Sequence, residues 1–379
     1  MAKKVFIGVN DVAKAVKKGY IGVDNVARRI KKAYIGIGGV ARPCWSSGEL
    51  AYYGKLETGF AQARWRFDAT TVGKYALFGG GYNDGNFLSS VEAFDISLTR
   101  TTPAELSFGR YELAATTVGS YALFGGGLYY VNNEPNYVDT VDAYDGSLTK
   151  SYPAKLQAGR SGLCATTVGD YALFRGGAGD YADAYDKSLT RSSQTSFGKK
   201  LYYMSATSVG DYALFGGGLL DTNSYSDVIY AYDKSLTLTL PAALSIARCH
   251  MAATTVSGHA LFGGGSPGSA YTKYSVVEAY DMSLTRTLPT ALSVARGYLS
   301  ATSVGDYALF GGGLTLKNGS LAYSAAVDAY DAQLTHTIQT DLNTPREYLV
   351  ATTVGSYALF GGGTGSSNAV YDTVDVYTV

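Results

Sequence analysis

Cysteine, histidine, tryptophan and proline are all scarce in this chain of 379 residues. The three cysteines, Cys44, Cys164 and Cys249, lie far apart. They form neither a CxxC pair nor an even disulfide framework, which points to a reduced, intracellular assembly environment. The three histidines, His250, His259 and His336, have no partner at ligand spacing. No metal site and no other cofactor is therefore expected. Charged residues make up only 16% of the chain, yet no stretch approaches the ~20 apolar residues of a membrane span. Asn10, Asp11 and Lys14 interrupt the apolar run at the start, so no signal peptide is expected. An apolar content of 46% argues against disorder.

Glycine and tyrosine are abundant, with 47 and 33 residues. Together with threonine they indicate many short strands joined by tight turns. The string ATTVGKYALFGGG begins at Ala69, and close copies begin at Ala115, Ala165, Ala206, Ala253, Ala301 and Ala351. The fifth copy carries His259 in place of its tyrosine, as a core variant. A second motif follows each glycine run, from VEAFD at Val91 to VDVYT at Val374. Six of the seven are followed by Ser/Gln-Leu-Thr. A period of 41 to 50 residues between the phenylalanines of successive copies belongs to a repeat architecture.

Each unit offers four strands. Ala-Thr-Thr/Ser-Val is small enough for the crowded axis of a propeller. Tyr-Ala-Leu-Phe carries apolar groups on both faces, as a sheet packed between two others requires. Val-Asp-Ala-Tyr is the third strand, and the fourth is expected to run through Leu-Thr. The seventh copy stops after its third strand, but residues 50–64 match a fourth strand and its exit. The fold class expected is all-β: a seven-bladed propeller of residues 49–379, closed by that N-terminal strand so that no edge is left open.

The order in ARGYLSATSVGDYALFGGG followed by VDAYD resembles the Kelch repeat family. The resemblance covers about residues 50–379. One departure is that Leu-Thr stands near the place where Kelch repeats usually carry a tryptophan. The function of Kelch adaptors is therefore not carried over with the fold. Kelch copper oxidases need paired histidines with a modified tyrosine, and sialidases need aspartate-box turns with their tryptophan. Neither set is present.

Residues 1–48 form a second unit. Three 14-residue repeats begin at Lys3, Lys17 and Lys31, with Asn10-Asp11, Asp24-Asn25 and Gly38-Gly39 as two-residue turns. A β-meander of about six short strands is expected. Ten basic residues against two acidic give residues 1–45 a net charge of +8, so the remainder carries −8. Few strands make a marginal core, so the segment is expected to dock on other particle proteins or on copies of itself. A solvated sheet edge and nucleic-acid binding are the weaker alternatives. Its YIGV-x-x-VAR units resemble N-terminal stretches of prophage structural proteins of Gram-positive bacteria.

Candidate binding residues fall into two groups. The loops between second and third strands vary most and are rich in Tyr, Asn and Ser, a composition suited to recognition. They supply Tyr129, Tyr130, Asn132, Tyr225, Tyr271 and Tyr274. Arg64, Arg110, Arg160, Arg248, Arg296 and Arg346 each lie 14 residues before the blade's phenylalanine. A ring of six is an anion-binding candidate. The competing reading pairs each with a repeated carboxylate of a neighbouring blade (Asp95, Asp145, Asp186, Asp233, Asp281, Asp331). Arg175 breaks one glycine run, beside the shortest loop.

The expected function is a non-enzymatic structural and binding protein of a phage or tail-like particle. It is made in the bacterial cytoplasm, is homo-oligomeric, and presents a recognition face to a cell-surface glycan or protein. No catalytic residue is assigned. The alternatives are a carbohydrate-active or sialic-acid-isomerising Kelch enzyme, using Glu112 or Glu347, and an intracellular Kelch interaction module.

Overall fold

A computed structural model describes residues 49–379, apart from 195–197, 221–223 and 269–270, and the backbone of six strands within residues 6–46. Seven four-stranded antiparallel sheets follow one another along the chain. Their innermost strands begin with Asp68–Val72 and end with Val350–Val354. Each innermost strand pairs with a Tyr-Ala-Leu-Phe strand, and that strand with the Val-Asp-Ala-Tyr strand. One hydrophobic cluster fills each space between neighbouring blades, including that between the seventh and the first. The molecule is the expected closed seven-bladed propeller.

The Ala-Thr-Thr/Ser-Val strand has a role beyond small size. Its alanine, from Ala69 round to Ala351, faces the axis. Its hydroxyls join the blades. Thr70 and Thr117 share a hydrogen bond of 2.8 Å, and Thr117 also donates to the Thr71 carbonyl at 2.5 Å. The same stitch recurs between Thr302 and Thr353. In six of the seven runs the residue after the phenylalanine is a glycine dictated by close approach, and in the third it is Arg175. A Cβ on Gly125 would lie 2.8 Å from the Phe174 ring of the next blade.

The Leu-Thr motif is a turn rather than part of the outer strand. Asp95 accepts the Ser97 and Thr99 N–H groups at 2.8 and 3.0 Å. This tightens the chain so far that Leu98 takes a left-handed φ of 61°. The outer strand starts afterwards, at Arg100–Thr101. Leu98 tolerates this backbone because it packs against the apolar cluster between blades seven and one.

Ala51–Lys55 supplies the outer strand of the seventh blade, pairing with Val374–Thr378. The Tyr52 hydroxyl donates to Asp375 at 2.6 Å. Ala51 lies opposite Thr378, and Thr378 lies opposite Tyr357, which follows the turn between first and second strands. The chain before residue 51 therefore leaves the propeller on the face of these short turns, opposite the glycine runs and long loops.

Within residues 6–46, each 14-residue repeat forms one hairpin. Phe6–Val9 pairs with Val12–Ala15, Gly19–Val23 with Val26–Ile30, and Lys32–Ile37 with Val40–Ser46. The anticipated turn residues lie outside the described residues. Six short strands in antiparallel neighbouring pairs are thus present in this unit. No helix among the described residues is long and apolar enough to cross a membrane.

Candidate recognition face and axial cluster

The six register arginines are completely buried. Each leaves the segment entering a blade and meets a carboxylate on that blade's third strand. Arg64 meets Glu92 at 2.6 Å, Arg110 meets Asp142 at 2.9 Å, and Arg160 meets Asp183 at 2.6 Å. Arg296 meets Asp328 at 2.6 Å, Arg346 meets Asp375 at 2.8 Å, and Arg248 pairs with Glu278. Arg110 also donates to the Phe124 carbonyl at 3.1 Å, which accounts for the 14-residue spacing. A fully desolvated, compensated guanidinium offers nothing to a solvent-borne anion, so these six form a structural ring and not a ligand site. The carboxylate that pairs is the second residue of the Val-Asp-Ala-Tyr-Asp motif. The terminal Asp95, Asp145, Asp186, Asp233, Asp281 and Asp331 instead cap the turns that follow.

The fourth blade lacks both partners, with Leu201 at the arginine register and Tyr230 at the carboxylate position. Arg175 of the preceding blade fills the space. It is buried, its guanidinium carbon lies 4.0 Å from the Tyr230 ring centroid, and it donates to the Tyr232 hydroxyl at 3.0 Å. The irregular arginine is thus an internal replacement, not a groove residue.

Two residues beyond the arginine register stand Arg66, Glu112, Gly162, Tyr203, His250, Tyr298 and Tyr348, all with φ between 53° and 64°. For six non-glycine residues this left-handed backbone is costly, roughly 1–2 kcal/mol each. A chain of backbone hydrogen bonds over-determines it. Glu112 N–H donates to Arg66, Gly162 to Glu112, Tyr203 to Gly162, His250 to Tyr203, Tyr298 to His250 and Tyr348 to Tyr298, at 2.9 to 3.3 Å. The bonds run round the axis from blade to blade.

Their side chains close the axis. Arg66 pairs with Glu112 at 2.6 Å and donates to the Tyr348 hydroxyl at 3.2 Å. The His250 ring lies between Tyr203 and Tyr298, at 4.5 and 4.1 Å between centroids. Burial, with Arg66 and Lys273 nearby, pushes the imidazole pKa down to about 3, so this ring is neutral. Below the cluster is a cavity of about 360 Å³, lined by the seven alanines and by Asp68 and Cys164. Burial raises the Asp68 carboxyl to about 7 even though it accepts the Ala69 and Ala115 N–H groups.

On the long-loop face, the segment entering a blade bridges to that blade's variable loop, as at Trp65 with Tyr82 and Tyr111 with Leu128. The loops form their own hairpins, Tyr82–Asn83 with Asn86–Phe87 and Leu128–Val131 with Glu134–Tyr137. Between them is a cleft of about 480 Å³ lined by Trp65, Tyr82, Phe87, Tyr111, Tyr130 and Asn132. Phe87 stacks on Tyr111 (5.7 Å, 18°) and on Tyr130 (6.2 Å, 24°). A second cavity of about 690 Å³ continues past Trp65 and Tyr82 to Glu347, Asp84 and Asn368. Burial raises the Glu347 carboxyl to about 7, against the pull of Arg66 and Lys273.

The structure brings together only part of the tyrosine-rich set. Tyr130 and Asn132 line the aromatic cleft. Tyr129, on the other side of its strand, lies flat on Phe108 (6.1 Å, 9°). Tyr225 sits beside Gly268, Tyr271 is exposed, and Tyr274 is half-buried on the same fifth-blade loop. None of these three lines the cleft. Glu112 borders the axial cavity and Glu347 the outer one, so the two acids do not converge on one site. Sequence reasoning missed the left-handed ring and the Trp65 to Tyr111 wall. The available signal was position: within an otherwise repeated segment, four blades carry Arg66, Glu112, Gly162 and His250 where the other three carry a tyrosine.

The seven-bladed propeller is a fold shared with proteins of distant sequence. The structure of YjhT is similar, with a TM-score of 0.58 and 13% identity, covering 74% of this chain and 99% of that one. At that identity the likeness shows the fold alone. No family model matches the chain, and no curated protein matches it.

Proposed function

We propose that this protein is a non-enzymatic structural and recognition component of a phage or phage-tail-like particle, built from divergent Kelch repeats. Residues 1–48 attach it, as homo-oligomer and to other particle proteins, and the loop face meets the cell surface. The observation that carries this reading is the opposition of the two ends. The +8 segment joins the propeller at the short-turn face, whereas the aromatic cleft opens among the loops of the other face. A protein attached at one end and reading a surface with the other needs this polarity.

The non-enzymatic reading is supported by the disposition of acids. Glu112 is held in an ion pair with Arg66, and Glu347 faces a separate cavity. The test is fractionation of the organism that encodes the chain. The protein is expected to co-sediment with particles and to leave a panel of free and polymeric sugars unchanged by NMR. A wholly soluble protein, or turnover that a Glu112→Gln/Glu347→Gln variant abolishes, contradicts the reading.

A further inference from the structure

We propose that the cleft on the long-loop face binds an uncharged oligosaccharide of at least two pyranose units, lying across Trp65 and Tyr82. This rests on the recognition role above and names its ligand class.

The shape comes first. The two cavities share Trp65, Arg66, Tyr82 and Gly85, so they form one groove with a waist and not two sites. Each compartment falls within the roughly 300–1,000 Å³ of small-molecule sites. A linear molecule with two successive units fits this outline better than a single compact one.

The walls differ in chemistry along the groove. The first compartment is aromatic, with Tyr130 44% exposed and Phe87, Tyr111 and Tyr82 half-buried behind it. These rings are fixed by their mutual stacking, so little side-chain entropy is lost when a ligand is covered. The C–H faces of a pyranose lie flat on such rings. Exposed Asn132 and Asn133 at the rim supply amide donors and acceptors for its edge hydroxyls. The second compartment adds Asp84, Asn368, Thr364 and Glu347, groups that accept or exchange hydrogen bonds with hydroxyls.

Charge selects against acidic sugars. Arg66 is the one cation among the residues lining the groove. Its charge is matched by Glu112 at 2.6 Å and one amino group is engaged by Tyr348. The remaining ionisable groups, Asp84 and Glu347, are acids. A carboxylate or phosphate in this groove would meet acceptors and no uncompensated positive charge, at a cost in desolvation. Hydroxyl groups meet partners throughout.

The test is calorimetric titration of the full chain with cello-, malto- and chito-tetraose, the matching monosaccharides, and polysialic, polygalacturonic and teichoic acids, each at low and high salt. The expected result is saturable binding of at least one neutral tetrasaccharide, indifferent to salt, and at least about tenfold tighter than its monosaccharide. Tyr130→Ala weakens it about tenfold with an unchanged melting temperature, because this ring is exposed. Tyr130→Phe keeps it. Silence of the whole neutral panel, binding of the acidic polymers alone, or neutral-sugar binding indifferent to Tyr130→Ala overturns the proposal. A groove made for a peptide gives the first of these results. Particle association is read separately, so its failure and this one are distinguishable.

Discussion

The guanidinium of Arg175 lies over the ring of Tyr230, 4.0 Å from its centroid, in the one blade interface whose own arginine and carboxylate are missing. One irregularity of the sequence thus answers two others, Leu201 and Tyr230. Replacing Arg175 with Met is expected to cost about 2 kcal/mol, the scale of a desolvated cation–π contact. Combining Arg175→Gly with Leu201→Arg and Tyr230→Asp recreates the arrangement of the other blades. It is expected to be more stable than Arg175→Gly alone, measured by urea unfolding.

The buried pairs are expected to behave as coupled units. Asp142→Asn leaves Arg110 charged and fully buried, a change costing about 3–5 kcal/mol. Burial opposes ionisation of Asp142, but Arg110 with Lys150 and Ser107 holds its carboxyl below the ordinary value. Glu278 and Asp328 behave likewise through Arg248 and Arg296. A depressed folded pKa gives stability that is present above the unfolded value and lost as pH falls through the folded one. Chemical denaturation at falling pH is therefore expected to show a steep loss below the ordinary carboxylate range, blunted in Asp142→Asn.

Glu347 has the opposite sign. Its folded pKa of about 7 exceeds the ordinary 4.5, so the folded state binds the extra proton. Its contribution is present below the unfolded value and lost as pH rises through about 7. Glu347→Gln is expected to melt higher than the parent at alkaline pH and no higher at pH below the unfolded value. Equal melting temperatures at both ends would remove Glu347 from the pH profile.

Closure depends on Ala51–Lys55, so truncation has a sharp boundary. A chain starting at residue 49 keeps the closing strand and the Tyr52 bond to Asp375. It is expected to fold as a monomer by light scattering. A chain starting at residue 56 exposes the Val374–Thr378 edge and is expected to aggregate.

The blades were legible because their residues repeat, and repetition of Ala-Thr-Thr and Tyr-Ala-Leu-Phe reports a shared environment. The closing strand was legible because residues 50–64 match the part missing after Val379. The arginine register was visible as well, but not its partner. Two carboxylates lie three residues apart in the third motif, and only the strand geometry turns Asp142 inward and leaves Asp145 to cap its turn. The axial cluster and the groove were hidden for the converse reason. Arg66, Glu112, His250 and Tyr298 hold equivalent places with unlike side chains, and the Trp65 to Tyr130 wall joins segments of two blades.

The proposed opposition of an attachment end and a recognition face on a phage-like particle is tested most directly by antibody access on intact particles, read by immunogold electron microscopy. The expected result is that an antibody to residues 128–140 decorates intact particles, while one to residues 1–45 binds only after they are dismantled. Decoration of intact particles through residues 1–45 with the loops hidden, or no decoration of particles by either antibody, would contradict it.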